Sequence, residues 1–289
     1  MDTPLRIAVA GTGMVGGALS RYLTAQHPDV QVGLFDPPKG LTDTSVLDEA
    51  EIIFLAVPTP YYLDGTGFDD SFLREVVEAI TVPDKTIVIK STVLPGTTET
   101  FQKDYPQHAF LFNPEFLTEA NADRDMQSPT RQIMGYTVKS QDRAYDVLEL
   151  LPRAPYAACI PAIEAELVKY FGNAFLAMRV TFANHMYDIC GALEANYQTV
   201  MEAAAADPRI GSSHLDVTHG GYRGYGGKCF PKDMRALIQL ARQVGIEPEM
   251  LIAAETYNNN LIQSQGLDIA WKEGSPPRPS QNPDPTDIA

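Results

Sequence analysis

Apolar residues recur along this chain in two rhythms, and the change from one to the other divides it. In the first half, short runs that are apolar at nearly every position alternate with stretches whose apolar positions fall three and four apart. Leu5–Ala10, Gln31–Phe35, Glu51–Val57 and Thr86–Lys90 predict buried strands, Met14–Gln26 predicts a helix, and Phe110–Phe112 and Arg131–Gly135 are weaker strand candidates. Buried strands separated by helical segments predict an α/β fold with a doubly wound parallel sheet and helices on both faces. From Ile160 the rhythm is helical throughout, over 164–193, 194–206, 231–244 and 248–263. The expected organisation is a sheet domain over 1–158, an all-helical central domain with one long helix over 159–273, and a tail over 274–289. That tail holds five prolines and almost nothing apolar, so it is expected to be disordered.

Composition narrows the chemistry. The 289 residues suit about two domains, and 22 basic against 37 acidic residues leave a formal charge of −15. Such a surface argues against binding nucleic acid or an anionic membrane, so an anionic ligand needs a local positive site. No run approaches the roughly 20 apolar residues of a membrane helix, and the N-terminus lacks the features of a signal peptide. Cys159, Cys190 and Cys229 are odd in number and show no metal-binding spacing, which points to a reduced, cytoplasmic setting with no metal.

Gly11-Thr12-Gly13-Met14-Val15-Gly16 follows the first strand and opens the first helix. Glycines at those places allow a tight turn, the approach of a pyrophosphate to backbone N–H groups and close helix–strand packing, as in a Rossmann dinucleotide site. Asp36 lies 20 residues past Gly16 at the end of the second strand, where a carboxylate accepts from ribose hydroxyls and repels a 2′-phosphate. NAD is therefore the expected cofactor, with Lys39 nearby as a contrary sign.

In the second half, Gly226-Gly227-Lys228-Cys229-Phe230-Pro231-Lys232-Asp233 delivers a cysteine to a helix start. Pro231 suits the first helical position, and the helix's positive end with two lysines favours a thiolate. Cys159 and Cys190 lie in apolar segments and read as packing residues. Lys169 and Asn173 form an i, i+4 pair on the long helix, able to meet one substrate atom and stabilise an oxyanion, though Lys169 could equally cover apolar neighbours with its stem. Asp233, four residues after Cys229, reads as a catalytic group or as a first-turn acid complementing the helix dipole. Glu115 and Glu119 follow a strand end, where an α/β fold places ligand-facing residues, but loop acids are commonplace. Thr92 is either a strand-end hydroxyl or a water and cofactor contact.

Further segments resemble one family in order: Pro58-Thr59-Pro60 with Asp64-Gly65; Lys90-Ser91-Thr92-Val93; Asn113-Pro114-Glu115-Phe116-Leu117-Thr118-Glu119; Asp125 with Pro129-Thr130-Arg131; Glu166 to Asn173; and the cysteine segment. From about Leu5 to Gln263 the chain is similar to the UDP-glucose/GDP-mannose dehydrogenases, with the members acting on UDP-glucose nearest. The resemblance implies oxidation of a sugar nucleotide's C6 alcohol to a carboxylate with two NAD in succession. It implies cofactor contacts from the fingerprint, Asp36, Val57, Pro58, Thr59, Thr92, Glu119 and Lys232. Substrate contacts are implied for Glu115, Phe116, Leu117, Lys169, Asn173, Arg209, Arg223, Tyr225 and Gly226. Cys229, Lys169, Asn173, Asp233, Glu119, Thr92 and Glu115 would carry the chemistry through a thiohemiacetal and a thioester. A homodimer through the long central helix is implied as well.

The chain also departs from the family. The resemblance implies a further C-terminal domain that grips the nucleotide, which makes a separately supplied domain partner one expectation. The stretch from Arg209 to Cys229 is about four residues longer than the family's, which bears on the loop Gly220–Gly227 and on Arg209 and Arg223 as phosphate ligands. His185 stands where the family has Glu, read here as a structural substitution. Two other readings stay open: a β-hydroxyacid dehydrogenase of the 3-hydroxyisobutyrate type, which needs no thiol, and a cofactor-binding subunit without activity of its own.

Overall fold

A computed structural model describes residues 4–227 and 229–267; Lys228, the side chains of Glu119 and His219, and the proline-rich tail at 274–289 lie outside the described residues. Packing divides the chain into two units, one comprising 1–59 and 68–169, the other 60–67 and 170–289.

The first unit is built as strand, helix and turn in repetition: β1 (Arg6–Ala10), α1 (Met14–Gln26), β2 (Gln31–Phe35), α2 (Ser45–Glu49) and β3 (Ile52–Leu55). A small hairpin, β4 (Tyr61–Tyr62) and β5 (Gly67–Phe68), belongs to the second unit as far as Gly67, and the first unit continues with α3 (Ser71–Glu78), β6 (Thr86–Ile89), α4 (Thr97–Asp104) and β7 (Ala109–Phe112). Then come α5 (Ala122–Gln127), β8 (Arg131–Tyr136), α6 (Gln141–Glu149) and β9 (Tyr156–Pro161). The sheet runs β2-β1-β3-β6-β7-β8-β9. β1, β3, β6 and β7 are buried along almost their whole length, because helices cover both faces and leave no polar side to the pleat.

Side chains of alternating parity feed two cores. Ala8, Ile53, Ile87 and Phe110 point into one with Leu47, Leu73 and Phe101, while Val9, Phe54, Val88 and Leu111 point into the other with Leu19, Leu23 and Met134. Each fully buried large side chain stabilises the fold by about 1.5–3 kcal/mol.

Two features depart from the expected parallel sheet. β8 is antiparallel to β7, and β9, absent from the sequence reading, runs parallel to β8. Apolar periodicity reports burial, not direction. β2 is also the sheet's edge, half exposed, since the connection to β3 holds only a 3-10 turn at Pro37–Lys39 and the short α2.

The long helix α7 (Ala162–Ala192) starts directly after β9 and runs 31 residues, about 46 Å at 1.5 Å per residue. Its first turns pack on the sheet at Gly135, where a Cβ would lie 2.8 Å from that of Ala165. The division between units falls within this helix, after Lys169, whereas the sequence reading expected the domain boundary at 158/159. The second unit comprises the rest of α7 with α8 (Tyr197–Ala205), α9 (Phe230–Gln243) and α10 (Glu249–Ser264). Ala174, Ala177, Val180, Tyr225, Met234 and Ala254 form its main core. Arg235 of α9 and Glu255 of α10 form an ion pair there, mostly shielded from solvent.

Candidate functional site

The first unit carries its candidate groups at the carboxyl ends of its central strands. β1 leads to β2 on one side while β3 pairs on the other, so the reversal that marks a ligand crevice in such sheets lies between β1 and β3. Gly11 turns there with φ +84°, and a Cβ on it would lie 2.6 Å from the Ala56 carbonyl oxygen. A Cβ on Gly16 would lie 1.9 Å from the Gly11 oxygen, so helix and turn touch backbone to backbone. Gly13, the N-cap of α1, has nothing within 4 Å of where a Cβ would stand, and no side chain caps the helix. Open space before uncapped N–H groups at Met14 and Val15 is what a pyrophosphate requires, so the residues fit the dinucleotide.

Asp36 ends β2 nearly buried, its Oδ2 accepting from the Thr12 N–H at 2.7 Å and the Thr12 hydroxyl at 2.6 Å. Burial opposes its charge, but those bonds and Lys39, at 3.4 Å, outweigh it and hold the carboxyl below its ordinary range. The group is ionised at neutral pH, as ribose recognition needs. Lys39 also donates to the Thr12 carbonyl at 2.6 Å, so its ammonium is spent on the turn and on Asp36.

At the next strand ends, the Ser91 hydroxyl donates to the Val57 carbonyl at 2.6 Å and the Thr59 hydroxyl to the Thr92 carbonyl at 2.7 Å. These bonds lace the Val57-Pro58-Thr59 turn to the Ser91-Thr92 turn. After β7, Glu115 is buried, its Oε1 2.7 Å from the Lys169 ammonium, which also donates to the Glu115 carbonyl at 2.7 Å. Glu115 Oε2 accepts the Leu117 N–H at 2.9 Å, and the Arg131 guanidinium lies 3.8 Å over the Phe116 ring. Glu119 stands in a 3-10 turn at Glu119–Asn121.

The sequence reading placed Lys90 at a strand end and in the Lys90-Ser91-Thr92-Val93 segment but gave it no role. It is buried at the end of β6 and donates to Asn113 Oδ1 at 2.5 Å, while Asn113 Nδ2 donates to the Ile133 carbonyl at 2.7 Å. Lys90, Glu115, Phe116, Thr118 and Arg131 line a cavity of about 200 Å³. A lysine closing the apolar run Thr86-Ile87-Val88-Ile89 was the available signal.

The second unit brings together Asn173, Asp233, Lys232 and the cysteine turn. Cys229 is the N-cap of α9 and is exposed, whereas Cys190 is buried and Cys159 half-buried. Asp233 lies almost fully buried in the first turn, accepting from Asn173 Nδ2 at 2.5 Å and from the Lys232 ammonium at 2.7 Å. Lys169 and Asn173, one turn apart on α7, are thus each bonded to a different carboxylate.

Three residues expected to face the substrate are otherwise engaged. Tyr225 is a core residue, and its backbone N–H and C=O are both bonded to the Asn258 side chain, at 2.7 and 2.9 Å. Arg223 pairs with Asp188 at 2.6 Å, donates to Asn184 Oδ1 at 3.1 Å and stacks on Tyr187. Arg209 is highly exposed and holds Asp207 through two nitrogens. The loop behind it is fixed by Arg179, which donates to the carbonyls of Ile210, Gly211 and Ser213. Gly226 lies between Tyr225 and the left-handed Gly227 (φ +75°), and His185 packs its ring on Tyr257 at 4.8 Å.

Among the described residues no cluster of His, Cys, Asp and Glu could hold a metal, and no helix is long and apolar enough to cross a membrane.

Residues 39–150 match the model of the NAD binding domain of the UDP-glucose/GDP-mannose dehydrogenase family, and residues 163–260 match that of its central domain. The chain is 32% identical to a putative UDP-glucose 6-dehydrogenase of Bacillus subtilis over 89% of its own length and 68% of the relative's. The structure of a UDP-glucose dehydrogenase from Pyrobaculum islandicum superposes with a TM-score of 0.76 at 27% identity, covering 89% of this chain and 68% of that one. A 3-hydroxyisobutyrate dehydrogenase from Mycobacterium tuberculosis shares the fold alone, with a TM-score of 0.70 at 15% identity over 90% of this chain and 94% of that one. The chain spans between about half and three quarters of the curated relatives' lengths. It belongs to the UDP-glucose/GDP-mannose dehydrogenase family, whose members are NAD-dependent nucleotide-sugar dehydrogenases.

Proposed function

We propose that this chain carries out the four-electron oxidation of a nucleotide sugar's C6 alcohol to the carboxylate, UDP-glucose to UDP-glucuronate, through a covalent intermediate on Cys229. The observation that carries the reading is the exposed thiol at the N-cap of α9, on a turn whose first helical residues include the buried Asp233. A single-oxidation dehydrogenase has no use for such a thiol. The family assignment and the relatives named UDP-glucose 6-dehydrogenase support the substrate.

The Gly11–Gly16 turn and Asp36 would hold NAD, which when bound would supply the hydride acceptor for both oxidations. In the first, the C6 hydroxyl proton passes to a water held by Asp233 and Lys169. The thiol of Cys229 then adds to the aldehyde carbon, with the oxyanion stabilised by Lys169 and Asn173. The second oxidation leaves a thioester on Cys229. A water ordered by Thr92, Glu119 and Glu115 hydrolyses it, releasing the carboxylate and restoring the thiol.

A homodimer is part of the same proposal. Phe171, Phe175 and Phe182 of α7 expose 77%, 53% and 64% of their surface, an apolar stripe fitted to a second copy of the helix.

The test is the NADH yield per UDP-glucose, with UDP-N-acetyl sugars and GDP-mannose as comparison substrates. The reading expects two NADH from one preferred sugar nucleotide, and acid release abolished in Cys229→Ser. One NADH per turnover with a β-hydroxyacid, untouched by thiol reagents, would establish the 3-hydroxyisobutyrate type instead.

A further inference from the structure

Lys90 is a buried charge to which the mechanism above gives no task. It leaves β6 at the sheet's carboxyl edge, two residues before Thr92, and is 3% exposed. Its hydrogen-bond acceptor is a neutral amide oxygen, and that amide cannot turn round: Asn113 Nδ2 already donates to the Ile133 carbonyl, which can only accept. Burying an ammonium against an amide is costly, and folds retain such groups chiefly where chemistry needs them. Burial pushes the ammonium down to about 8; Glu115 opposes that shift and Lys169 adds to it. Below pH 8 Lys90 therefore remains a cation.

The carboxylate in its field has a conflict of its own. Glu115 is bonded to Lys169, and Lys169 is the group assigned to the developing oxyanion. One ammonium cannot serve both fully, so whenever Lys169 turns to the substrate a buried carboxylate loses its counter-ion. An uncompensated buried carboxylate takes up a proton and ceases to order the hydrolytic water. Resting on the reading of Lys169 and Glu115 given above, we infer that Lys90 is the standby counter-ion of Glu115. It is a positioning residue that keeps the carboxylate charged and in place while Lys169 is engaged elsewhere. The other charged groups on the same cavity wall are Asp125, occupied by the Thr118 N–H and hydroxyl, and Arg131, stacked on Phe116. Neither takes Lys90's place at Asn113.

The experiment compares Lys90→Met, which keeps length and removes charge, with Lys90→Arg. Both are made in the wild-type chain and in Glu115→Gln. With UDP-glucose and NAD, Lys90→Met should lower kcat at least tenfold with KM within about twofold, and move the acid limb of the kcat–pH profile upward. Lys90→Arg should recover part of the loss. In Glu115→Gln, where no carboxylate needs a partner, Lys90→Met should cost less than threefold further. An equal loss in both backgrounds would show that Lys90 merely supports the fold, and would overturn the inference. A second readout needs no turnover: at neutral pH the 13C signal of the Glu115 carboxyl in Lys169→Met should move when Lys90→Met is added and move less when Lys90→Arg is added. An unmoved signal sinks the inference even if the enzyme makes two NADH. A signal that moves in that order upholds it even if UDP-glucose proves to be the wrong substrate.

Discussion

The two units hold their candidate groups by opposite means. In the first, the fingerprint turn, the Val57–Thr59 and Ser91–Thr92 turns and Glu115 hang from the ends of buried parallel strands, whose ladder fixes each group before any side chain acts. In the second, none of the described residues from 222 to 227 that lead to Cys229 forms a strand. Asn258 of α10 and Gln265, the residue capping its C-terminus, take the ladder's place: Asn258 grips the N–H and C=O of Tyr225, and Gln265, seven residues on, grips those of Arg223 at 2.8 and 2.9 Å. Residues 223 and 225 alternate as in a strand, and positions seven apart share one helix face, so the helix mimics a strand edge. A site built on a ladder is robust to side-chain change and intolerant of backbone crowding; a site built on clamps is the reverse.

Crowding the backbone of the first unit gives the largest expected effect. Gly16→Ala places a methyl 1.9 Å from the Gly11 oxygen, where only backbone can yield, and should destabilise the first unit by at least about 3 kcal/mol. Gly13→Ala meets open space, so stability should stay within about 1 kcal/mol while NAD affinity falls roughly tenfold or more, because the methyl stands where the pyrophosphate approaches. Denaturant unfolding and NAD titration of both variants separate the roles. Equal stability losses would mean that the turn is not held by the contact argued for it.

A pH scan sharpens the same contrast. Glu166, fully buried in the early turns of α7, accepts from the Gly96 N–H at 2.6 Å, the Thr98 N–H at 2.9 Å and the Thr98 hydroxyl at 2.6 Å, capping α4. Burial pushes its carboxyl up to about 7 from an ordinary 4.5; the Thr98 and Gly96 bonds pull it back, and Glu99 adds to the rise. Between those values the folded chain binds more protons than the unfolded one, so stability falls as pH rises from about 4.5 to 7. The full swing is about 3 kcal/mol, and Glu166→Gln should remove this part of the pH dependence. Hydrogen exchange should place the loss in the first unit; a loss confined to the second would refute the assignment.

These differences also mark what the sequence could disclose. Met14–Gln26 and Gln31–Phe35 fall at the residues their periodicity predicts, and the glycine fingerprint and Asp36 were legible because short-range spacing encodes them. The reversed direction of β8 was not, since a buried run reads alike both ways. Nor were the partners of Asn258 and Lys90: they lie 33 and 23 residues away in sequence, and nothing local marks an asparagine as a clamp or names the amide that a strand-end lysine bonds. Nothing local shows either that a tyrosine in a glycine-rich loop packs with Ala174, Ala177 and Met234, as Tyr225 does. The sequence reading did not foresee that Asp188 pairs with Arg223 or Asp207 with Arg209.

The clamps provide the finest test. Asn258 is 2% exposed, so Asn258→Ala strands a buried donor and a buried acceptor at Tyr225, costing about 2 kcal/mol. Gln265 is exposed, and water can replace it at Arg223, so Gln265→Ala should cost under about 1 kcal/mol. Both changes should leave NAD binding by the first unit intact, and the rate of Cys229 alkylation should change more for Asn258→Ala than for Gln265→Ala. Equal effects would mean that burial does not set the strength of the clamp, and that the turn before Cys229 is held from its other end, where Asp233 N–H bonds the Cys229 carbonyl at 2.9 Å. In that case Phe230→Ala, which loosens α9 at its first residue beside Tyr225, should disturb the thiol more than either clamp does.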